Sequence, residues 1–122
     1  MQVANDSTTR IVRAYYDTWQ NGMGSFDDGR LRELLAPDFV YEGPIAGRRV
    51  GPESFVIGLG RFVDTLKAMR MLQHLHADGE SAAVYDCDLT SPAGTFRFAE
   101  FLRIEDDRVH EVKLVFDATQ FR

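Results

Sequence analysis

The sequence predicts a single α+β domain in which a curved antiparallel sheet wraps against three N-terminal helices and leaves a pocket between the two layers. Three observations predict it. Apolar residues recur at helical spacing in the first half of the chain, at Ile11, Tyr15 and Trp19 and again at Phe55, Leu59 and Phe62. From Lys67 onwards the pattern changes to alternation interrupted by short polar turns. A length of 122 residues suffices for one core without disulfides, so residues 1–122 are read as one domain.

Residues 1–6 read as a loose tail, and helix 1, over 7–21, begins at Asp6 or Ser7, either of which can cap the first free backbone N–H groups. Val12 and Tyr16 adjoin the Ile11, Tyr15, Thr18/Trp19 rows, so its apolar stripe is wide. Asn21-Gly22 ends the helix, and Gly22-Met23-Gly24 is a flexible connection. Helix 2, over 27–36, takes Ser25 or Asp27 as its cap, turns Leu31, Leu34 and Leu35 inward and stops at Pro37. Phe39-Val40-Tyr41-Glu42 reads as a short strand, followed by the loop Gly43–Gly47, with Arg48-Arg49 in a loop near the pocket mouth. Gly51-Pro52 opens helix 3, over 52–65, because proline at the first helical position forfeits no hydrogen bond.

Residues 67–76 read as a strand with Leu72, His74 and His76 on one face and Met71, Gln73 and Leu75 on the other. Asp78-Gly79 turns the chain into 81–90. There Val84, Asp86 and Asp88 share one face and Tyr85, Cys87 and Leu89 the other, and either face can be the buried one. After the turn at 91–94, Phe96, Phe98, Glu100, Leu102 and Ile104 fall on one face, which sets Glu100 in an apolar stripe. Residues 108–116 close the sheet, with His110, Val112, Leu114 and Phe116 opposite Val109, Glu111, Lys113 and Val115.

A net charge of −5 with no Lys/Arg-rich face excludes a nucleic-acid footprint. No apolar run approaches the roughly 20 residues of a membrane span, and no basic region precedes an apolar one at the N-terminus, so a cytoplasmic protein without a membrane partner is expected. Cys87 has no partner for an internal bridge and reads as a buried structural thiol. His74 and His76, with Asp86 or Asp88 on the next strand, have a metal-like spacing. No recognised metal motif accompanies them, and no phosphate loop or nucleophile elbow is present, so neither metal nor cofactor is expected.

The segments Val-Arg-Ala-Tyr-Tyr-Asp-Thr-Trp-Gln-Asn-Gly (12–22), Leu-Leu-Ala-Pro-Asp-Phe-Val-Tyr-Glu-Gly-Pro (34–44), Gly51-Pro52-Glu53-Ser54-Phe55 and Val-Phe-Asp-Ala-Thr-Gln-Phe (115–121) resemble the nuclear transport factor 2-like superfamily. Within it the likeness is to the SnoaL-like proteins, which include polyketide cyclases and have ketosteroid isomerase and limonene epoxide hydrolase as relatives. The resemblance spans nearly the whole chain and implies a cone-shaped fold that pairs through its sheet as a homodimer.

Residue by residue, the resemblance carries over incompletely. The isomerase base, an aspartate before a proline, falls on Gly43, and the last-strand aspartate of the epoxide hydrolases falls on Leu114. The SnoaL-type cyclases also carry a last-strand aspartate near that place, where this chain offers His110 and Asp117. The two oxyanion donors match Tyr15 and Glu100, the latter a carboxylic acid kept neutral by an apolar site. The reading that follows is proton-transfer chemistry, as an isomerase, cyclase or dehydratase, on a small hydrophobic oxygenated molecule. Tyr15 and Glu100 polarise a carbonyl, and Asp86 or Asp88 is the base, provided that these aspartates face the pocket rather than solvent. Trp19, Phe55, Leu59, His74, Phe98, Val112, Leu114 and Phe116 form the ligand wall. The competing reading is a noncatalytic binding or dimerisation module. Carboxylates converging in an apolar cavity would favour the enzyme, and a filled interior the module.

Overall fold

A computed structural model of the chain describes residues 6–22 and 24–121. The expected tail up to Asn5, and Met23 of the expected flexible connection, lie outside the described residues. Helix α1 (Asp6–Asp17) buries Ile11, Val12, Tyr15 and Tyr16, as the wide stripe requires. It ends before residue 21 because the N–H groups of Thr18 and Trp19 reach back only three residues, to the carbonyls of Tyr15 and Tyr16. Tight turns then carry buried Trp19 to Gly22. That glycine has φ +80°, and a Cβ there would stand 2.7 Å from the Leu66 carbonyl oxygen, so the turn has no room for another residue.

Helix α2 (Asp28–Leu34) is capped by Asp27, whose Oδ1 accepts from the Arg30 N–H at 2.9 Å. It stops short of 36 because Leu35 turns extended to begin β1 (Leu35–Gly43), pairing with Val109 and burying Leu35 and Ala36. Pro37 lies in the irregular part of that strand, between the paired positions Leu35 and Val40. A strand absent from the sequence reading follows, β2 (Gly47–Val50), so Arg48 and Arg49 lie on an edge strand rather than in a loop. Helix α3 (Pro52–Val63) packs Phe55, Val56 and Val63 inward.

Strands β3 (Leu66–Ala77), β4 (Glu80–Thr90), β5 (Ala93–Glu105) and β6 (Arg108–Val115) complete a six-stranded sheet of order β2-β1-β6-β5-β4-β3. It is mixed rather than wholly antiparallel, since β1 and β6 run parallel. The result is the curved, open α+β cone. Two bulges shift the expected faces. One, between Met71 and Gln73, sets His74 opposite Ala83 and leaves Leu72 49% exposed, so Leu72 does not share the inner face with His74. The other, between Arg103 and Ile104, brings Val109 inward beside Val112.

The β5–β6 hairpin turns through Asp106 and Asp107, with φ of 52° and 59°, the left-handed pair that such two-residue turns use. Asp107 accepts from the Ser7 hydroxyl and pairs with Arg10, tying this hairpin to the start of α1. Cys87 is fully buried, and burial pushes its thiol up to about 12, which leaves it unreactive. Among the described residues no helix is long and apolar enough to cross a membrane.

Candidate functional site

Helix α1 and strands β4 and β5 bring three phenols onto one carboxyl. Tyr15 and Tyr16 are neighbours on α1, and the breadth of its stripe buries both. Glu100 stands on β5 between Ala83 of β4 and Leu114 of β6, on the inner face with Phe96, Phe98 and Leu102. Tyr15 donates to Oε2 at 2.8 Å, and Tyr16 and Tyr85 donate to Oε1 at 2.7 and 3.2 Å. The carboxyl is 3% exposed.

Burial raises the Glu100 pKa above its ordinary value, because desolvation penalises the charged form more than the three phenol hydrogen bonds favour it. Burial, reinforced by the charge of Glu100, pushes Tyr15, Tyr16 and Tyr85 well above the ordinary phenol value, so all three remain donors. The acid is the one member of the cluster that can change its proton.

Glu100, Tyr15 and Tyr85 of this cluster floor a cavity of about 500 Å³, within the range of small-ligand pockets. Tyr15, Trp19, Phe55, Leu59, Phe98, Leu114 and Phe116 line it together with Glu100, so these candidates are brought to one place. Tyr41, Tyr85, Phe62 and Phe121 complete the aromatic wall, and Ile45, Ala46, Arg49, Ser54, Gly58 and Arg61 complete its rim.

Four candidates lie elsewhere. Asp86 and Asp88 are on the opposite face of β4 from Tyr85 and Cys87, because the heavier apolar set takes the inside. There Arg97 holds Asp86 at 2.8 Å and Arg70 holds Asp88 at 2.7 Å, and these pairings keep both carboxyls below the usual range. Neither can be a base in the cavity. His74 packs edge-on against Tyr16, bonds the Ser81 hydroxyl at 3.0 Å, and is lowered to about 4 by burial and by neighbouring His76. Val112 is sealed in the core. Among the described residues no group of three or more His, Cys, Asp or Glu could hold a metal ion.

Gly43, the position of the isomerase base, is closed by its neighbour. A Cβ there would collide with the Tyr41 hydroxyl and stand 2.9 Å from Cζ of the same ring. Gly43→Asp is expected to cost about 1–3 kcal/mol in urea denaturation, as overpacking does. In a Tyr41→Ala background the same change should cost at least about 1 kcal/mol less. Equal costs in the two backgrounds would show that Tyr41 does not occupy that space.

A family model described as a SnoaL-like domain matches residues 12–112. Among solved structures, a candidate ketosteroid isomerase from Kribbella flavida DSM 17836 superposes with a TM-score of 0.75 at 22% identity, covering 92% of this chain and 78% of that one. A candidate polyketide cyclase from Xanthomonas campestris pv. campestris gives 0.72 at 18%, covering 93% of each chain. An epoxide hydrolase of the limonene epoxide hydrolase-like type from M. tuberculosis gives 0.73 at 17%, covering 94% of this chain and 86% of that one. At these identities the likeness carries the fold. No curated protein matches the sequence.

Proposed function

The chain belongs to the SnoaL-like domain family, and from that premise we propose that it takes a small hydrophobic, oxygenated molecule into the cavity and acts on it by proton transfer through Glu100. The observation that carries this reading is the buried carboxyl at the cavity floor, ringed by three phenols that hold its position and leave its proton as the mobile one. In its neutral form Glu100 donates to a ligand oxygen, with Tyr15 and Tyr85 beside it in the lining and Tyr16 behind. Donors fixed in a dry site stabilise negative charge developing on that oxygen.

Because Asp86 and Asp88 face away, the favoured reactions are those one acid can serve by giving a proton and recovering another, as in an isomerisation or dehydration. A cyclisation of the same kind needs its base from the substrate. The second reading, a noncatalytic ligand-binding module, is favoured by the missing second carboxylate and by Tyr41 closing the Gly43 position. We take the protein to be a single-domain, cytoplasmic homodimer paired through the outer sheet face, where Leu75, Phe101 and Val115 are exposed.

1-Tetralone, a bicyclic ketone, separates the two readings. In D₂O, proton transfer exchanges the hydrogens next to its carbonyl for deuterium, which NMR records directly. The protein is expected to accelerate this exchange about 100-fold or more over buffer, and Glu100→Gln to abolish the acceleration. Binding in thermal shift without exchange would leave the module reading. Neither binding nor exchange would remove both for this ligand class.

A further inference from the structure

We infer that the ligand carries an anionic group at the end remote from Glu100, read by Arg49 and Arg61; this rests on the cavity reading above and adds the substrate's charge to it. Both arginines line the cavity at its solvent-exposed side, whereas Glu100, Tyr15 and Trp19 line its buried floor. Neither has a carboxylate within ion-pair distance among the described residues. Arg10, Arg30, Arg32, Arg70, Arg97 and Arg103 each hold an acidic partner, whereas Arg49 and Arg61, like Arg13, Arg48 and Arg108, hold none among the described residues, and of these five only Arg49 and Arg61 line the cavity. In a chain of net charge −5, two unpaired guanidinium groups at one opening make a local field opposite in sign to that of the whole protein.

The placement of each arginine is specific. Arg61 stands in the last turn of α3, where the helix dipole favours a cation in any case. Arg49 has no such reason. It lies on edge strand β2 directly opposite Tyr41, which puts both side chains on the cavity face. Between this rim and the floor the wall is aromatic and aliphatic.

An independent observation comes from the floor. The indole N–H of Trp19, which lines the cavity and is 1% exposed, has no hydrogen-bond partner among the described residues. A buried donor without an acceptor is costly, although this nitrogen itself presents no surface to the cavity. With Glu100 at the inner end, aromatic walls and the two arginines at the rim, the cavity asks for oxygen at its inner end, a ring-like apolar body, and an anion at the rim. An aromatic or alicyclic oxo- or hydroxy-carboxylate has that chemistry.

Two fluorescent probes with the same ring body isolate the charge: 8-anilinonaphthalene-1-sulfonate and the neutral N-phenyl-1-naphthylamine. In the full chain both should bind, and Leu59→Trp, which narrows the cavity, should weaken both. Arg49→Gln/Arg61→Gln should weaken the sulfonate about tenfold or more and leave the neutral probe within about twofold, as loss of a charge-assisted contact does. Added salt should likewise weaken only the sulfonate. Equal effects on the two probes would overturn the anionic assignment while leaving the cavity as a binding site. Binding of both probes that ignores Leu59→Trp would overturn the cavity reading itself, and the inference with it.

Discussion

Glu100→Ala is expected to lower stability by about 2–4 kcal/mol, a large share of the roughly 5–15 kcal/mol a domain of this kind holds. The substitution leaves three buried phenols without their acceptor and opens a void at the centre of the molecule. Water entering through the cavity can solvate Tyr15 and Tyr85, which line it, but Tyr16 lies outside the lining and stays unsatisfied. The desolvation relieved by removing the carboxyl offsets part of this loss. Glu100→Gln keeps the volume and an acceptor oxygen, so its cost should stay below that of the alanine variant. Equal losses in chemical denaturation would mean that the phenols do not depend on this acceptor.

Tyr16→Phe should have the second largest effect, because it removes the shortest of the three bonds from a residue that water does not reach. Loss of one partner of a buried hydrogen bond costs about 1–3 kcal/mol, and the variant should lose an amount in that range. Since the phenol bonds favour the carboxylate, their removal should move the Glu100 pKa further up. Tyr16 exerts the largest of the three lowering effects and Tyr85 the smallest. Tyr85→Phe, which gives up a 3.2 Å bond, should change stability and pKa least.

The same raised pKa fixes the sign of a pH effect. Glu100 in the folded protein holds its proton to higher pH than in the unfolded chain, so its stabilising contribution is complete below the ordinary value of 4.5 and is lost as pH rises through the raised one. The slope in that window cannot exceed about 1.4 kcal/mol per pH unit for one group. His74 acts in the opposite direction: lowered to about 4, it favours the neutral form, and its contribution is lost as pH falls from about 6.5. Because the two windows overlap, the difference between wild type and Glu100→Gln isolates the carboxyl. That difference should shrink steadily with rising pH, and a flat difference would contradict the assignment.

Much of this arrangement was legible in the sequence. The alternation of 94–104 set an acid among Phe96, Phe98 and Leu102, and that pattern alone placed Glu100 inside. The stripe of α1 announced that both Tyr15 and Tyr16 would be buried. What alternation could not supply was phase across a bulge, so Leu72 and Val109 fell on the wrong faces. On β4 both faces carried plausible residues, and only the packed sheet decided that Tyr85 turns inward while Asp86 and Asp88 meet Arg97 and Arg70. Strand β2 is four residues long and exposed throughout, so it has no hydrophobic pattern, and Arg49, although near the pocket mouth in the sequence reading, falls there in a loop. The convergence of three phenols on one carboxyl joins residues up to 85 positions apart, which no local pattern encodes.

The carboxyl carbon of Glu100, labelled with ¹³C and followed by NMR from about pH 3 to 9, reports the central claim directly. A transition above the ordinary value of 4.5, moving higher still in Tyr16→Phe, is the expected result. A transition at or below 4.5 would mean a carboxylate held charged by its phenols, and would contradict the neutral acid on which the proposed proton transfer rests.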